Sequence, residues 1–442
     1  MNNQAIESVQ FLQRQAASLL LYQSVFATEV GKAFLNLLQA IRYPNAEGRD
    51  CLQAYGDFFN ILASKNQNWE EYLISQILVS ENPFSNQAQS ENSANLTPAL
   101  ISSAKHDLQV LHNFHECSVA SLSEWVQSAA HLPILPVVWY TEQQKLAANY
   151  QLPLIEKLRA LDDWTDAVED LAAFYRQYGT GIFAEYKAFR WQQGEFIGIN
   201  YPDTVKLSEL VAYESPKQTL IKNTEFLLSG QLALHVLLYG SRGSGKSSLV
   251  KALLNEYAER NLRLIEVAKS ELKDLPQIVE HLRNKPQKFI VFVDDLSFEE
   301  DDDAFKALKV VLEGSLTARP KNVVVYATSN RRHLIREFFA DRPQPKDSDE
   351  VNSWDTVQEK LSFSDRFGLT LTFEPASQKT YLQIVQHLVK SSNIDISTEE
   401  LEFQALQWAT RHNGRSGRTA RQFVDFLRAE KNIARNTAEE KK

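Results

Sequence analysis

With 442 residues, of which 43% are hydrophobic and 23% charged, the chain has the balance of a globular protein of two or three domains, each able to bury a core. A formal net charge of −9 argues against non-specific DNA binding, because affinity for the phosphate backbone comes from Lys and Arg displacing counterions. The first basic residue is Arg14, and the most apolar stretch, Leu132 to Tyr140, is broken by Pro133 and Pro136; together these exclude a charged signal-peptide start and a bilayer-spanning segment, so the expectation is a cytoplasmic protein with no membrane partner.

The charge is unevenly placed: residues 1–200 carry 12 Lys and Arg against 21 Asp and Glu, and the remainder is neutral. From Ala5 to about Tyr43 apolar residues recur at helical spacing until Pro44 stops the run. The same spacing predicts helices over Arg49–Ser64, Trp69–Ser80, Leu100–His115, Leu122–His131 and Trp164–Tyr178. The polar stretch from Glu81 to Asn95 reads as a long surface loop. No strand pattern and no fixed-period repeat is visible before about residue 200, so residues 1–200 read as an all-α N-terminal domain. Cys51 and Cys117 have neither CxxC spacing nor a histidine cluster around them, which predicts buried, structural thiols. Gly179-Thr180-Gly181 follows no strand and reads as a plain turn.

The pattern changes after Tyr201-Pro202-Asp203. Short β-branched or aromatic runs, His235–Tyr239, Leu262–Val267, Phe289–Val293, Val323–Thr328 and Leu369–Phe373, alternate with helical stretches. That alternation is the mark of a parallel sheet covered on both faces, an α/β core over residues 201–376. Residues 377–434 are helical again and form a small terminal subdomain, followed by a charged tail over 435–442.

The strongest chemical signal is GSRGSGKS, which is Gly240, Ser241, Arg242, Gly243, Ser244, Gly245, Lys246 and Ser247, followed by Ser248. It lies directly after a strand and directly before a helix. The glycines let backbone N–H groups converge on phosphates, and the helix presents its positive end to them. Lys246 is then placed to reach the β- and γ-phosphates and the Ser247 hydroxyl to hold Mg²⁺. With strand and helix both in place, this pattern predicts a nucleotide site. The next strand but one ends in paired carboxylates. Asp294 is expected in the Mg²⁺ shell and Asp295 as the group that orients and polarises the attacking water. In VVVYATSN, Asn330 stands at the tip of a buried strand and is expected between the glycine loop and the aspartates. Arg366, in LSFSDRFGLTLTF, precedes the last strand; a permanently charged guanidinium there can reach the γ-phosphate of a neighbouring subunit, the alternative being an ion pair with a nearby acid. Arg418 and Arg421 open the terminal helix. One of them is expected at the phosphates of its own subunit, with Arg421 favoured and a solvated basic face the alternative.

These elements, in this order, resemble those of the AAA+ superfamily of P-loop ATPases: a leading LSELVAYE, Walker A, Walker B, sensor 1, a box VII arginine and a sensor 2 arginine. The wording over residues 205–430 resembles one bacterial AAA+ family, catalogued as domain of unknown function 815. The resemblance implies a three-layer αβα core with a five-stranded parallel sheet and a C-terminal helical lid. It places ATP between core and lid and between subunits of a homo-oligomer, with Val211 and Tyr213 flanking the adenine. Two departures stand out: Ala212 occupies a position that is often glycine, and Asp295 replaces the commoner glutamate. The resemblance implies an ATP- and Mg²⁺-dependent hydrolase acting on an unknown protein client. A nucleotide-gated adaptor with slow hydrolysis is the second reading. A helicase-loader-like protein is the third, with nucleic acid open but not favoured. The stretch AKSELKDLP, Ala268 to Pro276, has neither aromatic nor glycine, which argues against threading of a polypeptide. The loop after Walker B, Phe298 to Asp303, is strongly acidic and would repel DNA from a channel; it also suits the start of a helix.

Overall fold

The helices read in the first part of the chain form, but the longest is broken by a contact from far away. Helices run over Asn3–Ser18, Ser24–Ala27 and Glu29–Arg42. Between the first two, the N–H groups of Leu20, Leu21 and Tyr22 donate to the Asp107 carboxylate at 2.7–3.0 Å instead of to carbonyls of their own helix. The computed structural model describes residues 3–45, 47–91, 95–141, 151–298, 303–313, 318–330, 363–412 and 414–439. It divides into two compact units, Met1–Glu185 and Tyr186–Lys442.

The first unit is helical among its described residues. Its core centres on Trp69, whose ring stacks on Phe34 at 3.9 Å and whose Nε1–H donates to the Phe114 carbonyl at 3.0 Å. Large aromatic area of this kind dominates core energetics, and the indole donor is satisfied. The Glu81–Asn95 stretch, expected as a loop, contains the helix Pro83–Ser90. Asn82 and Ser85 exchange side-chain-to-backbone hydrogen bonds at 2.9 Å and Pro83 stands in the first turn, a capping signal hidden in polar composition. Cys51 and Cys117 are buried and free, their thiols pushed up by burial to about 11 and about 12.

In the second unit, β1 (Ala188–Gln192), β2 (Glu195–Gly198), β3 (Val236–Gly240), β4 (Leu262–Val267), β5 (Lys288–Val293), β6 (Val323–Ser329) and β7 (Leu369–Phe373) form one sheet. Its order is β2-β1-β4-β5-β6-β3-β7. All neighbours are parallel except the β1–β2 hairpin. The expected five parallel strands are therefore present, but the sheet has seven, and the two additional ones come from residues read as part of the helical domain. Phe189 and Trp191 are buried while Arg190 between them is exposed, and Gln193 and Gly194 turn the chain with φ of 52° and 86°. Alternation plus X-Gly is a hairpin signal; in a strand of five residues it is short enough to pass for helix. Residues 186–200 thus belong with the sheet.

Helices Glu214–Leu228, Lys246–Tyr257, Leu275–Leu282 and Asp303–Glu313 accompany the strands, and Gln378–Ser391, Thr398–Arg411 and Gly417–Glu439 follow β7 as the lid. The lid buries its own small core of Tyr381, Val385, Leu401, Ala405 and Phe423, with Val211 and Ala212 packed against it. Among the described residues no helix is long and apolar enough to cross a membrane.

Candidate active site

The carboxyl ends of β3, β5 and β6 lie side by side in the sheet order, and the loops leaving them meet at one cleft of about 600 Å³ between core and lid. Such a crevice outside the carboxyl ends of parallel strands is where open α/β sheets bind ligands. The loop after β3 needs glycine at its first position. Gly240 has φ 137°, and a Cβ there would stand 2.0 Å from the carbonyl oxygen of Phe373 on β7. That close approach allows Ser241 N–H to donate to the same carbonyl at 2.9 Å, anchoring the loop to the sheet.

Lys246 opens the following helix and is 6% exposed. Its ammonium folds back onto the carbonyls of Gly240 at 3.0 Å and Ser241 at 2.8 Å and reaches Asn330 Oδ1 at 3.4 Å. Burial lowers its pKa; Asp294 and Asp295 act in the opposite direction, and Arg418 adds to the lowering. The Asn330 amide is shared, since its Nδ2 donates to Asp295 Oδ1 at 2.6 Å. Ser247 Oγ donates to Asp294 Oδ1 at 2.6 Å, and the Thr328 hydroxyl donates to the same oxygen. Thr328 also accepts the N–H of Asp295 at 3.0 Å. Asp295 is held at φ 51°, a left-handed conformation uncommon for residues with a Cβ, though visited more often by Asn and Asp than by others. The structure thus brings Lys246, Ser247, Asp294, Asp295 and Asn330 into one bonded network.

The rest of the lining comes from both sides of the cleft. Arg242, Gly243, Ser244, Gly245 and Ser248 contribute the glycine-loop wall. Val205, Leu210, Val211, Ile384 and Leu388 form an apolar wall. Gly240 and Ser241 stand behind the lining, where their carbonyls hold Lys246. Tyr213 departs from the expectation. Ala212 and Tyr213 both have positive φ, 73° and 56°, which turns the tyrosine onto β7. There its hydroxyl donates to the Glu374 carbonyl at 2.6 Å and its ring lies 5.2 Å from that of Phe373. It does not line the cleft, whereas Val211 does.

Arg418 and Arg421 both line the cleft but differ in what they touch. Arg421 pairs with Glu209 at 2.9 Å. Among the described residues no carboxylate pairs with Arg418, whose N–H donates to the Gly243 carbonyl at 3.1 Å and whose charge is felt by Lys246. Arg366 lies outside this chain's cleft, in an ion pair with Glu313 at the end of helix Asp303–Glu313. Arg331, Arg332 and Arg336, which follow Asn330 directly, lie outside the described residues. So does the acidic loop over 299–302. Thr328 and Glu209 were not singled out from the sequence. Thr328 is legible in hindsight, because two residues before Asn330 on a strand is the same face; Glu209 carries no local signal.

The donor set suits a magnesium-bound triphosphate. Oxygen ligands with a hydroxyl and a carboxylate side by side fit a hard divalent cation, and Ser247 and Asp294 are in direct contact. A free helix start and a lysine fit the phosphates. Among the described residues no cluster of three or more His, Cys, Asp or Glu offers an all-protein metal cage.

The family described as "Protein of unknown function (DUF815)" matches residues 184–431, more than half of the chain. No curated protein matches the sequence. Solved structures of Thermotoga maritima RuvB are similar to about half of the chain. One mutant shares 16% identity over 52% of this chain and 67% of its own, with a TM-score of 0.37. Another, titled a Holliday junction branch migration motor, shares 13% over 50% and 72%, with a TM-score of 0.30. At such scores the likeness carries no argument about the site.

Proposed function

The chain belongs to the DUF815 family, and from that premise we propose that it binds Mg-ATP in the cleft and hydrolyses it as an ATPase of the AAA+ type. One observation carries the reading: Lys246, Ser247, Asp294, Asp295 and Asn330 meet around one cleft, at the start of a helix whose preceding loop is rich in glycine. The glycine-loop N–H groups and Lys246 hold the phosphates. Ser247 and Asp294 hold Mg²⁺, which when bound draws off charge from the β- and γ-phosphate oxygens. The apolar wall with Val211 takes the base. Asp295, fixed by the Asn330 amide, accepts a hydrogen bond from the water that attacks the γ-phosphorus, and the bond to the β-phosphate oxygen breaks to give ADP and phosphate. Arg418 is better suited than Arg421 to meet phosphate from the lid, because Arg421 is already paired with Glu209.

Arg366 acts on the neighbouring subunit of a homo-oligomer in this reading, stabilising charge on a γ-phosphate. Its ion pair with Glu313 means that it must exchange one anion for another to do so. That favours turnover gated by assembly, and the work of the cycle is to remodel or regulate a protein client. The exchange also keeps the second reading in play, a switch whose ATP state outlives its rare hydrolysis.

The test is ATP binding and phosphate release on three proteins. Lys246→Ala is expected to lose turnover by about 10²–10³-fold, the cost of one charge-stabilising donor in a desolvated site. Asp295→Asn is expected to keep binding ATP and to lose turnover by a similar factor. Wild-type rates in the lysine variant sink the assignment.

A further inference from the structure

The turn that carries both aspartates of the cleft hangs from one residue of the neighbouring strand. Regular pairing of β5 with β6 ends at Val293 and Ala327. Beyond it the chain turns through Asp294 and Asp295, the second at φ 51°. Thr328, the next residue of β6, holds this turn twice. Its carbonyl accepts the N–H of Leu296 at 2.7 Å, and the fully buried Leu296 side chain pins the far end of the turn. Its hydroxyl accepts the N–H of Asp295 at 3.0 Å and donates to Asp294 Oδ1. Thr328 is 2% exposed, and a β-branched side chain is stiff about its first torsion, so the direction of that hydroxyl is fixed.

A hydroxyl has one hydrogen to give and two lone pairs to accept with. Here the hydrogen goes to one aspartate and a lone pair to the backbone of the next, so a single oxygen atom registers both against β6. The effect on Asp294 is lopsided. Its Oδ1 accepts from Ser247 at 2.6 Å, from Thr328, and from the Asp295 N–H at 3.2 Å, whereas Oδ2 has no protein donor among the described residues. A carboxylate with one oxygen saturated and the other open is oriented, and such outer bonds tune how a ligand group meets its metal. We propose that Thr328 is a positioning residue for the chemistry of the cleft. It leaves Asp294 Oδ2 as the oxygen for the hydrated Mg²⁺, and it fixes the backbone from which the Asp295 carboxyl reaches Asn330 and the attacking water. The assignment rests on the Mg-ATP reading above and adds a residue that reading does not use.

The test compares Thr328→Val, which keeps the branched shape and the backbone bond to Leu296 but loses the hydroxyl, with Thr328→Ser, which keeps the hydroxyl. Two quantities are read in the full chain: phosphate release from ATP, and affinity for a non-hydrolysable ATP analogue as Mg²⁺ is titrated. Thr328→Val is expected to need about tenfold more Mg²⁺ for half its effect on analogue affinity, and to turn over about 10–100-fold more slowly at saturating ATP. At saturating Mg²⁺ its analogue affinity is expected near wild type. Thr328→Ser is expected to recover most of both losses. An unshifted Mg²⁺ midpoint or an unchanged turnover in Thr328→Val overturns the assignment; so does an equal loss in Thr328→Ser, which would trace the effect to the missing methyl. If wild type binds the analogue without hydrolysing ATP, only the hydrolysis in the earlier reading falls, and the Mg²⁺ midpoint decides the role of Thr328 alone. Absence of Mg²⁺-dependent analogue binding in wild type removes the Mg-ATP reading and this assignment with it. Should Thr328→Val fail to fold, Thr328→Ala takes its place, with the same two losses expected and wild-type behaviour counting against Thr328.

Discussion

At the carboxyl ends of β3, β5 and β6 the polar groups of the cleft are bonded to one another. Lys246 rests on two loop carbonyls, Asn330 bridges it to Asp295, and Ser247 and Thr328 share one oxygen of Asp294. At the amino ends of β3 and β6, His235 Nε2 and Arg319 Nε are buried and, among the described residues, have no acceptor. A ligand that enters the first site must replace bonds that already exist, so its affinity is a difference and its geometry is dictated in advance. The first arrangement can exchange its bonds for those to a ligand, whereas the second leaves its donors closed off inside the fold.

The comparison is broken most forcefully at the cleft. Arg366→Ala is expected to lower turnover by about 10³-fold or more while leaving ATP binding in place, the range for a charge delivered to a transferring phosphoryl group. Mixing it with a Lys246→Ala protein, which supplies the missing arginine, should recover activity only if the two share an interface. Normal hydrolysis by Arg366→Ala alone would show that its pairing with Glu313 is purely structural.

The amino-end contrast is sharpened by acid. The folded His235 ring sits at about 3 against an ordinary 6.5, so between those values the unfolded chain takes up a proton that the folded one refuses. Its stability contribution is complete above 6.5 and is lost as pH falls toward 3, at about 1.4 kcal/mol per pH unit where the difference is fully developed. His235→Asn, whose amide oxygen can still accept from Val325, is expected to show a correspondingly shallower loss in urea unfolding followed from pH 6 to pH 4. Equal slopes in the two proteins would mean that the ring is not held neutral by the fold.

The smallest effect is expected at the edge of the cleft. Ala212 sits at φ 73°, which costs a residue with a Cβ about 1 kcal/mol that glycine does not incur. Ala212→Gly should therefore be stabilising by up to that amount if the turn is kept, as measured by denaturant midpoint. A destabilised variant would mean that the packing of the alanine methyl against the lid outweighs backbone strain.

Much of the site was legible because it is local. A glycine loop between strand and helix, and carboxylates at a strand end, are short-range patterns whose geometry follows from their neighbours in sequence. Tyr213 falls outside the cleft lining because two successive positive φ angles, invisible in LVAYE, turn it toward Glu374. The choice between Arg418 and Arg421 was left open for a related reason. Nothing near either arginine announces Glu209, more than two hundred positions away, as the partner of one of them.

The sequence by itself determined the order of elements, the five parallel core strands, the P-loop and the helical nature of the first unit, since periodicity, caps and glycines act over a few residues. Tertiary structure alone decided what depended on meeting a distant group. Asp107 interrupts the first helix by taking three N–H groups from a segment some eighty-five residues earlier. The β1–β2 hairpin is drawn onto the sheet edge beside β4. His235 Nε2 and Arg319 Nε are left buried without an acceptor among the described residues. Burial and the pairing of remote polar groups are properties of the packed chain, and no window of sequence contains them.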